Sequence, residues 1–335
     1  MIEFIGVTFP PSSQWHEDER ALIEKITNQI EENFPQHNNL FINTTWFGPQ
    51  FDNGQYQKFE NICSTKKFDN LFLLAAADPV FLADHQIEEM HVRSGNGNLY
   101  LLGHFDTKYN FNFHSTVLPK YFKSYSDNEL KMRSVSYKFI NYNRKPRPHR
   151  TNLVDALIRN NLHQHGIVTH GADKTMTLGE TVEEIGKENQ WWPENELPIP
   201  HDIHSLGRME VWQNHFLTVV SETESNNAVP TFVSEKIWKP IIGMRPFIIN
   251  GQSKSYKWLR DRGFKTFNQF WQHLHVETAD DTPHTCAKVI EYICDKSTQE
   301  LEEIYKHILP DLAHNRNRFY EFCIEQKNKT ETLFC

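Results

Sequence analysis

Ser234, Glu235 and Lys236 open the run Phe232-Val-Ser-Glu-Lys-Ile-Trp-Lys-Pro, whose pattern predicts a helix that begins at these three residues. A helix start has unsatisfied backbone N–H groups and the positive end of the dipole, so it suits a phosphate. A Lys there balances a diphosphate, and a Glu accepts a bond from a sugar hydroxyl. Together they point to a nucleotide-sugar site and to glycosyl transfer. The same Ser and Glu also serve an ordinary helix start, as cap and dipole complement. The surroundings favour the site. A strand ending in Ser221-Glu222-Thr223 precedes the helix; a Gly243-Met-Arg-Pro break and the strand Phe247-Ile-Ile-Asn250 follow it. Strand ends and helix starts on one side of a parallel sheet converge on one crevice.

A second group is the loop Asn143-Arg-Lys-Pro-Arg-Pro-His-Arg150, with Arg144, Lys145, Arg147, His149 and Arg150. Its prolines keep it extended, a helix is predicted just after it, and Arg suits bidentate phosphate contact. A solvated basic turn or an RNA-contacting patch has the same composition. Sugar transfer with inversion also needs a base for the acceptor hydroxyl. Asp78 follows the apolar run 70–77 and precedes Pro79, which places it at a strand end; an Asx turn before Pro is the plain alternative. Asp106 and His104, after the next predicted strand, are reserve candidates. Asp280-Asp281 and His273-x-His275 lie in a polar loop and read as solvated, so no metal and no further cofactor is expected. Trp191-Trp192-Pro193 suits either sugar stacking or the cover of an apolar edge.

These residues must be positioned by a fold. Apolar runs at 2–8, 39–46, 70–77 and 98–103 alternate with helical spacing at 17–33 and 56–64. After a polar stretch at 107–135, strands at 136–142, 166–170, 216–221 and 247–250 alternate with helices at 151–161, 234 onward and 255–262. The stretch of roughly 284–328 is helical. Strands alternating with helices give parallel sheets covered on both faces. The expected class is α/β of GT-B form: a Rossmann-like acceptor domain at 1–130, a Rossmann-like donor domain at 131–300, and C-terminal helices at 301–335.

The chain has 335 residues, 38% apolar and 23% charged, which is the balance of a folded rather than a disordered protein. Its net charge of −8 argues against a surface that coats nucleic acid. The Cys residues at 63, 286, 294, 323 and 335 are odd in number and irregularly spaced, so they read as reduced thiols. No apolar run reaches the ~20 residues of a membrane span, and the N-terminus lacks the basic region of a signal peptide. The expected location is cytoplasmic, free or peripheral to a membrane.

The run Leu217-Thr-Val-Val-Ser-Glu-Thr, then Phe232-Val-Ser-Glu-Lys-Ile-Trp-Lys-Pro, then Pro246-Phe-Ile-Ile-Asn-Gly251, resembles the donor-binding signature of the α1,3-fucosyltransferases. The likeness is clearest over roughly 136–270. It implies a metal-independent, inverting glycosyltransferase with a GDP-fucose-like donor and a glycan or lipid-linked saccharide acceptor. It also implies that Glu235 holds the ribose and Lys236 the diphosphate, and that an Arg after the 136–142 strand meets the pyrophosphate. Arg150 fits that position best, beside Arg144 and Arg147. The sequence departs from the family pattern at Ser221-Glu222-Thr223, where Glu-Asn-Ser is usual. Trp238-Lys239-Pro240 follows the motif, and no acidic Trp-Asp-Glu-Ser-type turn follows Gly263-Phe-Lys-Thr-Phe267. Transfer onto modified DNA or a protein side chain, a nucleotide- or carbohydrate-binding protein without turnover, and an interaction protein on a decayed transferase fold are the other readings.

Overall fold

The computed structural model describes the chain except residues 1, 6–13, 44–52, 76–83, 104–107, 113–114, 116–117, 120–124, 144–145, 171–205, 207–208, 229–230, 280 and 335. It divides into two compact units, Met1–Val117 with Ile324–Cys335, and Leu118–Cys323. The division between 117 and 118 falls within the polar stretch 107–135, and the last residues of the chain belong with the first unit. Each unit is built on a four-stranded parallel sheet, as the α/β pattern requires. No helix among the described residues is long and apolar enough to cross a membrane.

The first unit carries β1 (Ile2–Ile5), β2 (Asn39–Asn43), β3 (Asn70–Ala75) and β4 (Asn98–Gly103), in the order β1-β2-β3-β4. Side chains alternate between the two faces of a strand, and here both faces are apolar. Ile5, Ile42, Leu73 and Leu101 are in register on one face. Onto it pack Phe59 and Cys63 of α2 (Asn53–Thr65), and Ile87 and Met90 of α3 (Asp84–Ser94). On the other face Phe4, Phe41, Phe72 and Tyr100 form an aromatic row, with Phe72 stacked on Tyr100 at 4.6 Å between ring centroids. Phe34, just past α1 (Gln14–Asn33), packs on this row, as does Phe334 from the end of the chain. Gln29 holds the same end by bonds to the Thr330 carbonyl and the Leu333 amide.

The second unit carries β5 (Tyr137–Asn141), β6 (Gly166–Val168), β7 (His215–Ser221) and β8 (Phe247–Asn250), in the order β6-β5-β7-β8. Its helices are α4 (Asp127–Leu130), α5 (Pro148–Arg159), α6 (Met209–Gln213), α7 (Glu235–Ile242), α8 (Lys254–Arg260), α9 (Thr282–Cys294) and most of α10 (Thr298–Glu331). The chain passes from β5 to β6 on one side, then returns past β5 to β7 and β8. The strand order therefore reverses between β5 and β7. In an open α/β sheet such a switch point, at the carboxyl ends of the strands, is where ligands bind. The described strands of the first unit follow chain order and show no such reversal. Cys63, Cys286, Cys294 and Cys323 are free and buried.

His215, at the start of β7, has no exposed surface. Its Nδ1 lies 3.2 Å from the Val211 carbonyl and its Nε2 lies 2.9 Å from the Thr218 hydroxyl. Burial, with Arg245 nearby, pushes its pKa well below the usual value. As pH falls below the unfolded value, about 6.5, the unfolded chain takes up a proton that the folded chain refuses, so stability falls. His149 acts in the same direction, and Glu222, with a raised pKa, acts in the other. Between about pH 7.5 and about pH 5.5, His215→Gln should lose less stability than the wild type, by up to about 1.4 kcal/mol per pH unit. Urea midpoints with equal pH slopes in the two proteins would refute this assignment.

Candidate functional site

The site is assembled at the carboxyl ends of β5, β7 and β8. Asn141 ends β5, and its amide nitrogen donates to the Val219 carbonyl at 3.1 Å and to the Ser221 hydroxyl at 3.0 Å. Asn143 donates from its side chain to Asn141 Oδ1 at 2.6 Å, and from its backbone to the Thr169 hydroxyl at 2.8 Å. Asn250 ends β8 and donates to the His149 carbonyl at 3.1 Å. Because these donations fix which way each amide faces, Asn143 Oδ1 and Asn250 Oδ1 are left as buried acceptors without a partner among the described residues.

Helix α5 starts over this edge. Pro148 occupies its first turn, where the fixed φ fits and the missing N–H costs no bond. No side chain caps this start. Arg147 donates to the Thr223 carbonyl. The Glu222 carbonyl accepts from His149 Nε2 at 2.9 Å and from Arg150 Nε and Nη2 at 3.3 and 2.8 Å. Donation from Nε2 suits a neutral imidazole, and burial, with Arg150 and Arg147 close by, lowers the His149 pKa. The helix start is thus fastened to the backbone just past β7, with two guanidinium groups at the switch point.

Helix α7 starts beside it. Ser234 is its cap and accepts from the Lys236 amide at 3.3 Å. The Ser234 hydroxyl donates to Glu222 Oε2, and the Ser234 amide donates to Glu222 Oε1 at 3.3 Å. The Thr223 amide also reaches Glu222 Oε2, at 3.2 Å. Glu222 is 1% exposed, and burial raises its pKa while Lys236 and Ser234 pull it down. Its neighbour Gly251 is required by space, since a Cβ there would come within 2.7 Å of the Glu222 Cβ. Glu222 and Ser234 therefore face each other and set the start of α7.

Lys236 Nζ lies 2.6 Å from Glu235 Oε1, 3.2 Å from the Thr223 hydroxyl and 3.3 Å from the Ser234 hydroxyl. Its side chain is 29% exposed and that of Glu235 14%. This pair, rather than the buried Glu222 and Ser234, is open to an incoming molecule. Lys236, two Arg side chains and two helix starts suit a polyanion, and Glu235 suits a hydroxyl donor.

Of the residues singled out from sequence, Arg147, Arg150, Glu222, Ser234, Glu235 and Lys236 come together here. Arg144 lies outside the described residues, as do Asp78, Asp106, His104, Asp280 and the Trp191–Trp192 pair. Asp281 caps α9 by accepting from the His284 amide, and the His273 ring packs on Tyr292. Sequence reasoning passed over Asn141, Asn143, Asn250 and Thr223, and saw His149 only as part of a basic loop. The available signal was an Asn at or just past the end of an apolar run, where a strand has no reason to bury an amide.

Comparison of the chain with family models, with curated proteins and with solved structures returns no match.

Proposed function

We propose that this protein is a glycosyltransferase of GT-B form that takes a nucleotide diphosphate sugar, with a GDP-fucose-like donor favoured, and passes the sugar to a glycan or lipid-linked saccharide. The observation that carries this reading is the place of the Arg147, Arg150, Glu235 and Lys236 group. It lies at the one reversal of strand order among the described strands, against the starts of α5 and α7. The resemblance to α1,3-fucosyltransferases rests on the same residues and supports the donor class.

In this reading Lys236 and Arg150 neutralise the diphosphate, with Arg147 beside them and Arg144 a further candidate from the sequence, and Glu235 holds a ribose hydroxyl. Preorganised cations and N–H dipoles stabilise a leaving diphosphate in the way an oxyanion hole stabilises its anion, so the reaction runs without a metal. Glu222 and Ser234 keep the start of α7 in place. The acceptor hydroxyl needs a base, for which Asp78, Asp106 and His104 are the candidates from the sequence, and attack on the anomeric carbon inverts it.

The test is a thermal-shift screen against GDP, UDP, CDP, ADP and TDP, each with and without EDTA. A ligand at about 100 times its Kd adds about 2.7 kcal/mol of stability. The expected result is a rise in melting temperature with one diphosphate, unchanged by EDTA. A flat response to all five would overturn the donor site, and a rise abolished by EDTA would overturn metal independence.

A further inference from the structure

A groove of about 700 Å³ lies in the second unit, between the end of α8 and the turn that leads to α9, with Asp311 of α10 on its wall. Phe267 in this segment packs on Phe247, the first residue of β8, with ring centroids 5.6 Å apart. The groove therefore belongs to the starting edge of the sheet, whereas Glu222, Asn250 and Lys236 belong to the opposite edge. The reading of the donor site makes no use of it.

The lining is polar but not charged overall. Arg260 and Lys265 are matched by Glu277 and Asp311. Thr266, Gln269 and Gln272 add hydroxyl and amide groups, and Phe264 and Val276 form an apolar floor. Among the described residues, no hydrogen bond engages the side chains of Lys265, Thr266, Gln269, Gln272 or Asp311. Glu277 is bound through Oε1 alone, by Arg260 and Asn268. The groove thus presents donors and acceptors side by side, with no excess of either charge.

The bed beneath them is fixed. Asn315, 1% exposed, accepts from the Lys265 amide at 2.7 Å and donates to the Lys265 carbonyl at 2.9 Å. His314 reaches the Gly263 carbonyl at 2.9 Å, and Asn268 takes the Trp271 indole N–H at 3.0 Å. A rigid bed lowers the ordering cost of binding.

A ligand that matches this lining has hydroxyls that both donate and accept, a weakly apolar C–H face and no net charge. We infer that the groove is a binding site for a neutral saccharide, separate from the donor site. A phosphate or an acidic glycan would find no excess of positive charge here, since Glu277 and Asp311 offset Arg260 and Lys265, and an apolar peptide would leave the amides without partners.

The test is a saturation-transfer NMR titration of the full chain with cellotetraose, maltotetraose and chitotetraose, beside a hyaluronan tetrasaccharide and inorganic phosphate. It is repeated on the double variant Gln269→Ala, Gln272→Ala and on Lys236→Ala. Both glutamines are exposed, so the double variant should melt within about 1 °C of the wild type. The expected result is transfer to at least one neutral tetrasaccharide, weakened roughly tenfold in the double variant and unchanged in Lys236→Ala. No transfer to any neutral tetrasaccharide, equal binding by the double variant, or a preference for hyaluronan or phosphate would overturn the inference. Loss of binding in Lys236→Ala alone would move the saccharide to the other edge of the sheet and also overturn it.

Discussion

Arg245→Met should cost the second unit about 4 kcal/mol, a large share of the roughly 5–15 kcal/mol that holds a domain folded. Arg245 lies in the turn between α7 and β8 and has no exposed surface. Its guanidinium donates to the Trp212 carbonyl at 2.6 and 3.1 Å, and to the Leu130 and Met244 carbonyls at 2.8 Å each. The Tyr305 hydroxyl lies 3.3 Å away. One side chain thus joins the end of α4, α6, the turn itself and α10. Burial lowers its pKa to about 10, so it stays charged at neutral pH. A buried ion pair can often be exchanged for apolar residues at no loss. That route is closed here, because the partners are backbone carbonyls that no substitution removes. Met fills the space but leaves those acceptors buried and unbonded. Lys should recover only part of the loss, since its ammonium has three donors where the guanidinium has five in a fixed fork. Urea denaturation of wild type, Arg245→Met and Arg245→Lys decides it. A loss below about 1 kcal/mol in Arg245→Met would sink the argument.

Arg245 also shows where sequence reasoning stops. In the run Gly243-Met-Arg-Pro246 it reads as part of a chain break, and nothing local says that its side chain points inward to four elements. The carbonyls it serves belong to residues 130, 212, 243 and 244. Helix α3 escaped notice for a related reason. Ile87 and Met90 are its core contacts, among Glu, His and Arg, so its helical spacing is weak until β3 and β4 supply the surface it covers. The strands of the first unit were plain because both of their faces are apolar. The parallel α/β class followed from their alternation with helices. The strand order did not, since reversal between β5 and β7 depends on pairings far apart in the chain. Phe334 joins the first unit by contacts with Phe34, Phe72 and Tyr100, which no window on the sequence contains. The start of α7 was legible because Ser, Glu and Lys fall where a strand ends and a helix begins. The task of Glu222 was not legible, because a carboxylate after a strand looks the same whether it faces a ligand or a neighbouring cap.

That distinction shapes what Lys236→Ala should do. Ser234 caps the Lys236 backbone amide, and Glu222 bonds Ser234, so neither contact uses the Lys236 side chain. The substitution keeps the backbone cap bonds of α7 and removes the Lys236 ammonium, with its contacts to Glu235, Thr223 and Ser234. The melting temperature without ligand should shift by no more than a degree or two, as for a partly exposed side chain away from the core. Affinity for the nucleoside diphosphate selected by the screen should fall about a hundredfold, the loss of a charge-assisted contact on an anionic diphosphate. Lys236→Arg should retain part of the affinity, since it keeps the charge and can still reach an oxygen. The affinity for the parent nucleoside, which has no phosphate, should be the same in all three proteins. Calorimetric titration of diphosphate and nucleoside separates these terms. If the diphosphate binds Lys236→Ala as well as wild type, the ammonium is not at the phosphates, and the Lys236–Glu235 pair is a structural ion pair. If nucleoside and diphosphate weaken together, the variant has disturbed the start of α7, and the charge assignment fails on that count.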